Sequence, residues 1–231
     1  MSIQPVVRLP REVRMDQILD AATDEFRSLG FENTSMSRIA KRAGIVEGSI
    51  YRYFIDKADL LTKVIERWYV GMLADYAKQL ALIDGTRSRL RYMIWRHLKT
   101  VHAEPELCRL MFNKVRSSAH YRGTSVYRLN SQYTSRTLDI IREGISAGEL
   151  RNDLNLSLIR DLIYGGVEHQ IWSYLRNEGE FDPDKTADSI VDMVVNGAGK
   201  RSNVIDQLQD IESRMAHLVR IRGNAVLGKS S

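Results

Sequence analysis

The chain has 231 residues, of which 43% are hydrophobic and 27% are charged, as in ordinary globular proteins. The longest runs without a charged residue, such as 129–135 and 193–199, have seven residues, whereas a membrane-spanning helix needs about 20 apolar ones. The N-terminus lacks the apolar segment of a secretion signal. Cys108 is the only cysteine, which excludes an internal disulfide and a CxxC metal or redox site. We therefore expect a cytoplasmic protein.

The net charge of +5 is unevenly distributed along the chain. Residues 34–57 carry five basic and two acidic groups, and residues 200–231 carry six and three. Residues 58–199 are nearly neutral, with 19 basic and 18 acidic groups. The positive charge is therefore local, and its first concentration marks a candidate surface for a polyanion such as DNA.

The scarcity of proline predicts an all-α fold, because two stretches of more than 70 residues contain no such helix breaker. Residues 1–11 show no periodicity and predict a flexible arm. From Arg14 to Phe26 the apolar residues follow helical spacing, and Gly30 predicts the end of this first helix.

Residues 34–57 predict two short helices and the start of a fourth helix. The hydroxyl of Thr34 or Ser35 is a suitable N-cap for the second helix, which ends at Gly44. A third helix is predicted over about 46–54, after a turn of only a few residues. Asp56 then caps the fourth helix, with Asp59 three residues later as in a capping box.

The rest of the chain predicts further amphipathic helices and no strand, for about ten helices in all. These helices lie at about 86–102, 105–118, 121–147, 155–178 and 184–198. In the C-terminal segment, heptad spacing predicts one more helix with a seam of Val204, Leu208, Ile211, Met215 and Leu218. This helix either pairs with its counterpart in a dimer, folds back onto the body, or lies on the surface before a basic tail.

Two short helices joined by a glycine-containing turn in a basic segment are typical of a helix-turn-helix. The first helix would cross the DNA backbone, and the residues that we expect near phosphates are Thr34, Ser35, Ser37, Lys41 and Arg42. The second would enter the major groove with the small or polar side chains of Glu47, Gly48 and Ser49, flanked by Tyr51, Tyr53 and Lys57. The alternative is a pair of core helices with a solvated basic face.

Residues 18–65 resemble the DNA-binding domain of the TetR family of bacterial repressors. The matching motifs are A-x-x-x-F and G-F-x-x-T within 22–34, I-A-x-x-A-G at 39–44, and G-S-I-Y-x-Y-F-x-x-K-x-x-L-L at 48–61. The rest of the chain resembles the family only in length and helical content. The resemblance implies a bacterial regulator that is associated with the nucleoid and is not an enzyme, with no cofactor and no metal.

The resemblance also implies roles for individual residues. Tyr51 and Lys57 would bind phosphates, Ser49 and Tyr53 would read bases, and Glu47 would accept a hydrogen bond from cytosine or act against wrong sites. Ser37 and Gly48 also fall where family members touch DNA. The implied division of the chain is a flexible arm at 1–11, the DNA-binding domain at 12–57, a ligand-binding and dimerisation domain at 58–199, and the extension at 200–231.

Binding to a palindromic operator requires a homodimer, for which the last two helices of the body are the candidates. The predicted stripe on the first comprises Ile159, Leu162, Ile163, Gly166, Val167, Gln170 and Tyr174, and that on the second comprises Ala187, Ile190, Val191, Val194 and Val195. Gly165 and Gly166 would permit close approach of the backbones. The alternative is that these stripes pack only within the chain.

A hydrophobic small molecule is expected among the helices of 86–178 and would release the protein from DNA. The candidate lining residues are Tyr92, Trp95, His97, His102, Arg109, Phe112, Asn113, Arg116, Tyr133, His169 and Trp172. Residues 105–118 weakly resemble the matching helix of acyl-CoA-responsive repressors of fatty-acid degradation. An acyl-CoA or related CoA thioester would suit a pocket that is apolar within and carries Arg109, Lys114 or Arg116 at its mouth.

Two other functional classes remain as alternatives. A structural adaptor could use a vestigial DNA-binding fold, although the intact pair of Tyr51 and Lys57 argues against it. A helical enzyme would need catalytic motifs, and the sequence contains no HExxH, GxSxG or P-loop pattern.

Overall fold

The computed structural model describes residues 9–199 together with Glu212 and Met215. In the first of these parts the chain forms nine α-helices and no strand, so the all-α prediction is confirmed there. The helices are α1 (Arg11–Asn33), α2 (Met36–Arg42), α3 (Glu47–Ile50), α4 (Lys57–Leu80), α5 (Thr86–Ala103), α6 (Pro105–Leu110), α7 (Ser125–Ser146), α8 (Leu156–Leu175) and α9 (Pro183–Ala198). The predicted seam of the extension lies outside the described residues except for Met215.

Side-chain caps begin several of these helices as the sequence predicts. Ser35 Oγ accepts a hydrogen bond from the backbone N–H of Arg38 at 3.2 Å, and Asp56 Oδ1 accepts from that of Asp59 at 2.8 Å. Asp59 in turn accepts from the backbone N–H of Ile55 at 2.9 Å, one residue before the cap rather than at the cap itself. Asp182 accepts from the first two N–H groups of α9.

Gly30, the predicted end of the first helix, has a non-helical φ of 71° and interrupts the regular helix there, although a further helical turn extends α1 to Asn33. Two other predicted helices end earlier than expected. α3 ends at Ile50 rather than near residue 54, because the bond from the N–H of Tyr53 to the carbonyl of Ile50 tightens the chain into turns. The helix predicted over 105–118 is α-helical only to Leu110 and continues as a π-helical turn, Met111–Val115.

Two apolar cores organise the described part of the chain. The first holds α1–α3 and the N-terminal half of α4 around Phe26, Ile39 and Ile50, each with 0% exposure. The second fills the space between α4, α5, α7, α8 and α9. The first core also includes Leu107, Leu110, Met111 and Val115 of α6 and the π-helical turn. The segment after α5 therefore packs into the N-terminal unit formed by α1–α3 and the first half of α4, the head.

Candidate DNA-binding face and effector cavity

The α2–α3 pair presents a set of polar side chains to the outside of the head. Ser37, Lys41, Glu47, Gly48 and Tyr51 are exposed, and Ser49 and Tyr53 are half-buried. The backbone of Gly48 is not in the left-handed region, and a Cβ built there meets no atom within 4 Å. The fold therefore has no steric need for a glycine at this position, which leaves a smooth surface for an approaching ligand.

Thr34 does not belong to this outer face. Its side chain is buried, and Oγ1 donates to the carbonyl oxygens of Gly30 at 2.7 Å and Glu25 at 3.1 Å. The hydroxyl thus satisfies backbone acceptors at the kinked end of α1. We therefore correct the sequence-based placement of Thr34 near phosphates, whereas Ser35 stays exposed as the cap of α2.

Arg42 is also bound within the head. Its guanidinium donates to Asp24 at 3.0 and 3.2 Å and to Glu25 at 3.2 Å. Arg38 donates to the same buried Glu25 at 3.0 Å, and this bond is the main reason that the pKa of Glu25 lies below its usual range. Two α1 carboxylates thus neutralise two α2 cations, so the predicted phosphate contact of Arg42 would compete with these ion pairs.

Lys57, the first residue of α4, binds the C-terminal end of α1. Its Nζ atom donates to the carbonyl oxygens of Phe31 at 2.7 Å and Thr34 at 2.8 Å, and lies 4.3 Å from the centroid of the Phe31 ring. These contacts use two of the three ammonium donors. One donor is left for the predicted phosphate contact, which stays a prediction.

Arg52 and Arg11 are two of the head cations that the sequence analysis did not single out. Arg52 is exposed beside Tyr51 and forms no ion pair with any residue that the structure describes. The guanidinium of Arg11 lies 5.1 Å from the centroid of the Tyr53 ring. The sequence could have indicated Arg52, because this residue lies between two tyrosines of the matched motif. The sequence could not have indicated Arg11, because its position depends on the direction of α1.

A cavity of about 430 Å³ opens between the helices of the body. Its walls include Tyr69 of α4, His97 of α5, Phe112 of the π-helical turn, Tyr133 of α7 and Tyr164 of α8. The other residues of the wall and rim are Arg116, Arg122, Tyr127, Asn130, Ser131, Thr134, Arg160, Asp161 and Glu168. A smaller space of about 30 Å³ adjoins the inner end, shares four of these side chains and adds apolar ones such as Trp68, Met72 and Met111.

The cavity contains four of the candidate ligand residues: His97, Phe112, Arg116 and Tyr133. Those that do not line it are Tyr92, Trp95, His102, Arg109, Asn113, His169 and Trp172. Arg109 instead binds Glu106, Asn177 and the carbonyl of Leu175 at the end of α8. Trp172 packs against Phe112 with ring centroids 5.3 Å apart, and Lys114 is paired with Glu32 of the head. Asn113 and His169 are exposed on the outer surface.

Sequence reasoning found only Tyr133 of α7 and missed the other residues that this helix contributes to the cavity. Tyr127, Asn130, Ser131 and Thr134 follow helical spacing and place polar groups on one side of that helix. This polar stripe is visible in the sequence and could have indicated a polar face on that side of α7. Arg122 and Arg160 are further cations that the sequence analysis did not single out.

The rim of the cavity carries both signs of charge. Arg116 is paired with Glu168 at 3.0 Å, and Arg160 with Asp161 at 2.8 Å. Arg122 is exposed and has no ion-pair partner in the described part of the chain. An anionic group at the mouth would therefore meet one unpaired guanidinium and two that are already partly neutralised.

The inner wall is polar, and its hydroxyl groups form hydrogen bonds. Tyr69 donates to Asn130 Oδ1 at 3.1 Å, the Tyr164 hydroxyl lies 2.7 Å from that of Thr137, and the Tyr133 hydroxyl lies 3.0 Å from Nδ1 of His97. Burial, with a smaller contribution from Arg116, lowers the pKa of His97 to about 4. The imidazole is therefore neutral at pH 7.

The two stripes predicted for dimerisation divide into buried and exposed residues. Ile163, Val167, Ala187, Ile190 and Val191 pack into the body's own core, which corrects their assignment to a dimer interface. Leu162, Gly166 and Gln170 are exposed, and Ile159, Tyr174, Val194 and Val195 are half-buried. Leu158, Leu162 and Met193 leave 54%, 64% and 69% of their surface open, so α8 exposes two large apolar side chains and α9 exposes one, among polar neighbours.

Comparison with protein families gives two matches along the chain. A model of bacterial regulatory proteins of the tetR family matches residues 18–64, and a model of a tetracyclin repressor-like C-terminal domain matches residues 84–198. The first begins within α1 and ends within α4, and the second covers the helices that form the cavity apart from α4. In the described residues, no helix is long and apolar enough to cross a membrane.

Curated proteins and solved structures agree with these matches. The chain is 24% identical over 181 residues to a fatty acid metabolism regulator protein of Bacillus subtilis, covering 78% of this chain and 93% of the relative. It is 22% identical over 195 residues to the HTH-type transcriptional repressor KstR2 of Rhodococcus jostii, covering 82% and 93%. The structure of the regulator FadR from Bacillus subtilis in complex with stearoyl-CoA has a TM-score of 0.69 at 24% identity, covering 79% of this chain and 98% of that one.

Proposed function

The chain belongs to the TetR family of bacterial regulators and is a DNA-binding transcriptional regulator rather than an enzyme; from this premise we propose that it is a repressor released by a small-molecule effector. It binds a palindromic operator as a homodimer in the cytoplasm, at the nucleoid. The effector is a hydrophobic small molecule, and an acyl-CoA or a related CoA thioester fits best. The observation that carries the proposal is a cavity whose walls include α4 and the π-helical turn, both of which also pack into the head core.

The proposed operator contacts are the side chains that the head leaves open. Ser49 and Tyr53 read base edges, Tyr51 and Lys41 bind phosphates, and Arg52 adds a cation beside them. Ser35, Ser37, Glu47 and Gly48 complete this face. Because most of these contacts are electrostatic, affinity should fall steeply as the salt concentration rises.

The proposed effector site is the cavity between α4, α5, α7 and α8. The mouth offers Arg122, Arg116 and Arg160 to the phosphates of coenzyme A, and the inner wall offers aromatic rings to the acyl group. FadR from Bacillus subtilis, which has a similar fold, is described in complex with stearoyl-CoA. That likeness supports the class of effector, and the arginines of this chain support it independently.

Release requires that the effector bind one conformation of the dimer better than the other. Two connections run from the cavity to the head. Helix α4 carries Tyr69 in the cavity wall and Leu60 in the head core. The π-helical turn carries Phe112 in the wall and Met111 in the head core, so an effector that moves this turn also moves the surface against which the head packs.

The proposed dimer forms through the outward faces of α8 and α9. Leu158, Leu162 and Met193 supply apolar area, and Gly165 and Gly166 allow the backbones to approach because a Cβ at either position meets no atom within 4 Å. A four-helix bundle of this kind would separate the two heads by the distance between successive major grooves.

Selection of bound DNA from a random pool, followed by titration with effectors, tests the whole proposal. We expect a palindromic site, whose complex dissociates with palmitoyl-CoA but not with coenzyme A alone. Failure to enrich any sequence would support the alternative of an adaptor with a vestigial DNA-binding fold. Tighter operator binding in the presence of the thioester would keep the effector class and reverse the direction of control.

A further inference from the structure

The inner wall of the cavity holds a hydrogen-bonding group that has no partner in the described residues. From it we infer that the effector carries a neutral oxygen, a hydroxyl or keto group, which bonds to Nε2 of His97. This inference rests on the proposed function, because it specifies the acyl group of the proposed thioester. A cavity that accepted only unsubstituted alkyl chains would not need such a polar group in its wall.

The imidazole of His97 is held in place by aromatic rings. It stacks on Tyr133 with ring centroids 5.6 Å apart and an interplanar angle of 25°, and meets the edge of Tyr164 at 5.9 Å. Its Nδ1 atom lies 3.0 Å from the Tyr133 hydroxyl. Nε2 has no hydrogen-bond partner among the described residues, and the side chain lines both the main cavity and its inner extension. The fixed ring therefore directs one free nitrogen toward a bound molecule.

The protonation state of His97 decides what that nitrogen can bind. Because burial lowers its pKa to about 4, the ring is neutral at pH 7 and does not attract a carboxylate as an ion pair. A neutral imidazole offers either an N–H donor or a lone pair, depending on the tautomer. A keto oxygen suits the first tautomer and a hydroxyl suits either, so the matching ligand group is a neutral oxygen.

The shape of the cavity favours the same class of ligand. The part lined by tyrosines, Asn130 and Thr134 has about 430 Å³, whereas the apolar extension past Phe112 has about 30 Å³. An unsubstituted chain in the larger part would separate His97 from water without replacing the lost hydrogen bond. Sites built to bond a polar ligand group discriminate strongly against an analogue that lacks it.

Binding of matched thioesters provides the direct test. Calorimetric titration would compare decanoyl-CoA with 3-hydroxydecanoyl-CoA, 3-oxodecanoyl-CoA and 10-hydroxydecanoyl-CoA. These thioesters place the oxygen near the thioester or at the far end of the acyl chain. We expect at least one oxygenated thioester to bind roughly 10-fold tighter than decanoyl-CoA. Equal or weaker binding of all three would overturn the inference while leaving the proposed function intact.

Two substitutions of His97 separate recognition from folding. H97N keeps a polar atom near the position of Nδ1, which can still form a hydrogen bond with the Tyr133 hydroxyl, but it has no polar group near the position of Nε2. H97Q has a polar atom near the position of Nε2. We expect H97N to bring the affinity ratio close to one and H97Q to retain part of it. Circular dichroism and thermal unfolding would verify that both variants fold.

Y121F is the matched control. The Tyr121 hydroxyl is buried without a partner and does not line the cavity, so its removal should preserve the ratio. An unchanged ratio in H97N would overturn the assignment to His97. If no thioester binds, the proposed effector class is wrong. The inference about His97 can then still be tested by comparing the affinity of decanoate with those of 3-hydroxydecanoate and 10-hydroxydecanoate. If these acids also fail to bind, both proposals are overturned.

Discussion

Arg27 and Glu104 join the head to the body through two hydrogen bonds, with Nε and Nη2 of the arginine 2.8 and 2.6 Å from the two carboxylate oxygens. Arg27 belongs to α1, and Glu104 immediately precedes α6, which leads into the π-helical turn of the cavity wall. The pair lies at the edge of an open groove of about 700 Å³ between α1, α4 and α5. A displacement of α6 would therefore act on α1 directly through this ion pair.

We expect E104Q to weaken the coupling between effector and operator more than it weakens the fold. The pair is partly exposed, so its loss should lower the free energy of unfolding by about 1 kcal/mol or less. The ratio of operator Kd values with and without saturating effector should fall by about 2- to 10-fold. Gel-shift titrations measure this ratio, and R27E combined with E104R should restore it in part. An unchanged ratio in E104Q would show that the pair does not transmit the signal.

G48A should separate DNA binding from stability. The position has no neighbour within 4 Å of a new Cβ, and alanine favours a helix over glycine, so the free energy of unfolding should stay constant or rise by up to about 1 kcal/mol. The added methyl group would lie on the groove-facing surface, and we expect operator affinity to fall at least about 10-fold. Urea unfolding and a gel shift on the same preparation test both parts. Full operator affinity in G48A would remove Gly48 from the contact surface.

K57M should destabilise the head without changing the salt dependence of DNA binding. It removes two charge-assisted bonds to carbonyl oxygens at the end of α1, at a cost of about 1–3 kcal/mol for a half-buried group. A phosphate contact would instead reduce the slope of log Kd against log salt by about 1. Chemical unfolding and binding at four salt concentrations distinguish the two roles. Normal stability with a reduced slope would return Lys57 to the phosphate contacts.

Lys57 also illustrates what the sequence could and could not predict. Caps act within four residues, so the sequence alone located the start of α4 at Asp56 and that of α2 at Thr34 or Ser35. Lys57 matched a motif, but its partners at Phe31 and Thr34 depend on how α1 ends and how α4 approaches it. No spacing rule contains that information.

The same limit explains the mixed result for the cavity. His97 and Trp172 are both aromatic residues on amphipathic helices, yet only the first lines the main cavity. Which side of a helix faces a cavity depends on how the neighbouring helices pack, and the sequence pattern shows only that the side is not solvated. Arg42 is a similar case, since its partner Asp24 lies 18 residues earlier in the chain.

The depressed pKa of His97 predicts a pH dependence of stability. The unfolded chain binds this proton near pH 6.5 and the folded chain near pH 4, so the stability present above pH 6.5 is lost as the pH falls toward 4. We expect wild type to lose about 2 kcal/mol more than H97Q between pH 7.5 and pH 5.0. Urea unfolding at the two pH values measures the difference. Equal losses in the two proteins would show that His97 is not buried as a neutral ring.

L162E should dissociate the proposed dimer while leaving each chain folded. The side chain of Leu162 is 64% exposed on α8, so a glutamate meets no core of its own chain, but in a four-helix bundle it would meet its symmetry mate across the interface. Like charges buried there are destabilising. Sedimentation at micromolar concentration should show a monomer, and operator affinity should fall with it, since a palindrome needs two heads. The control is L82E, at an equally apolar residue that is 81% exposed just beyond α4 and should leave the dimer intact. A dimer that survives in L162E would place the interface elsewhere on the body.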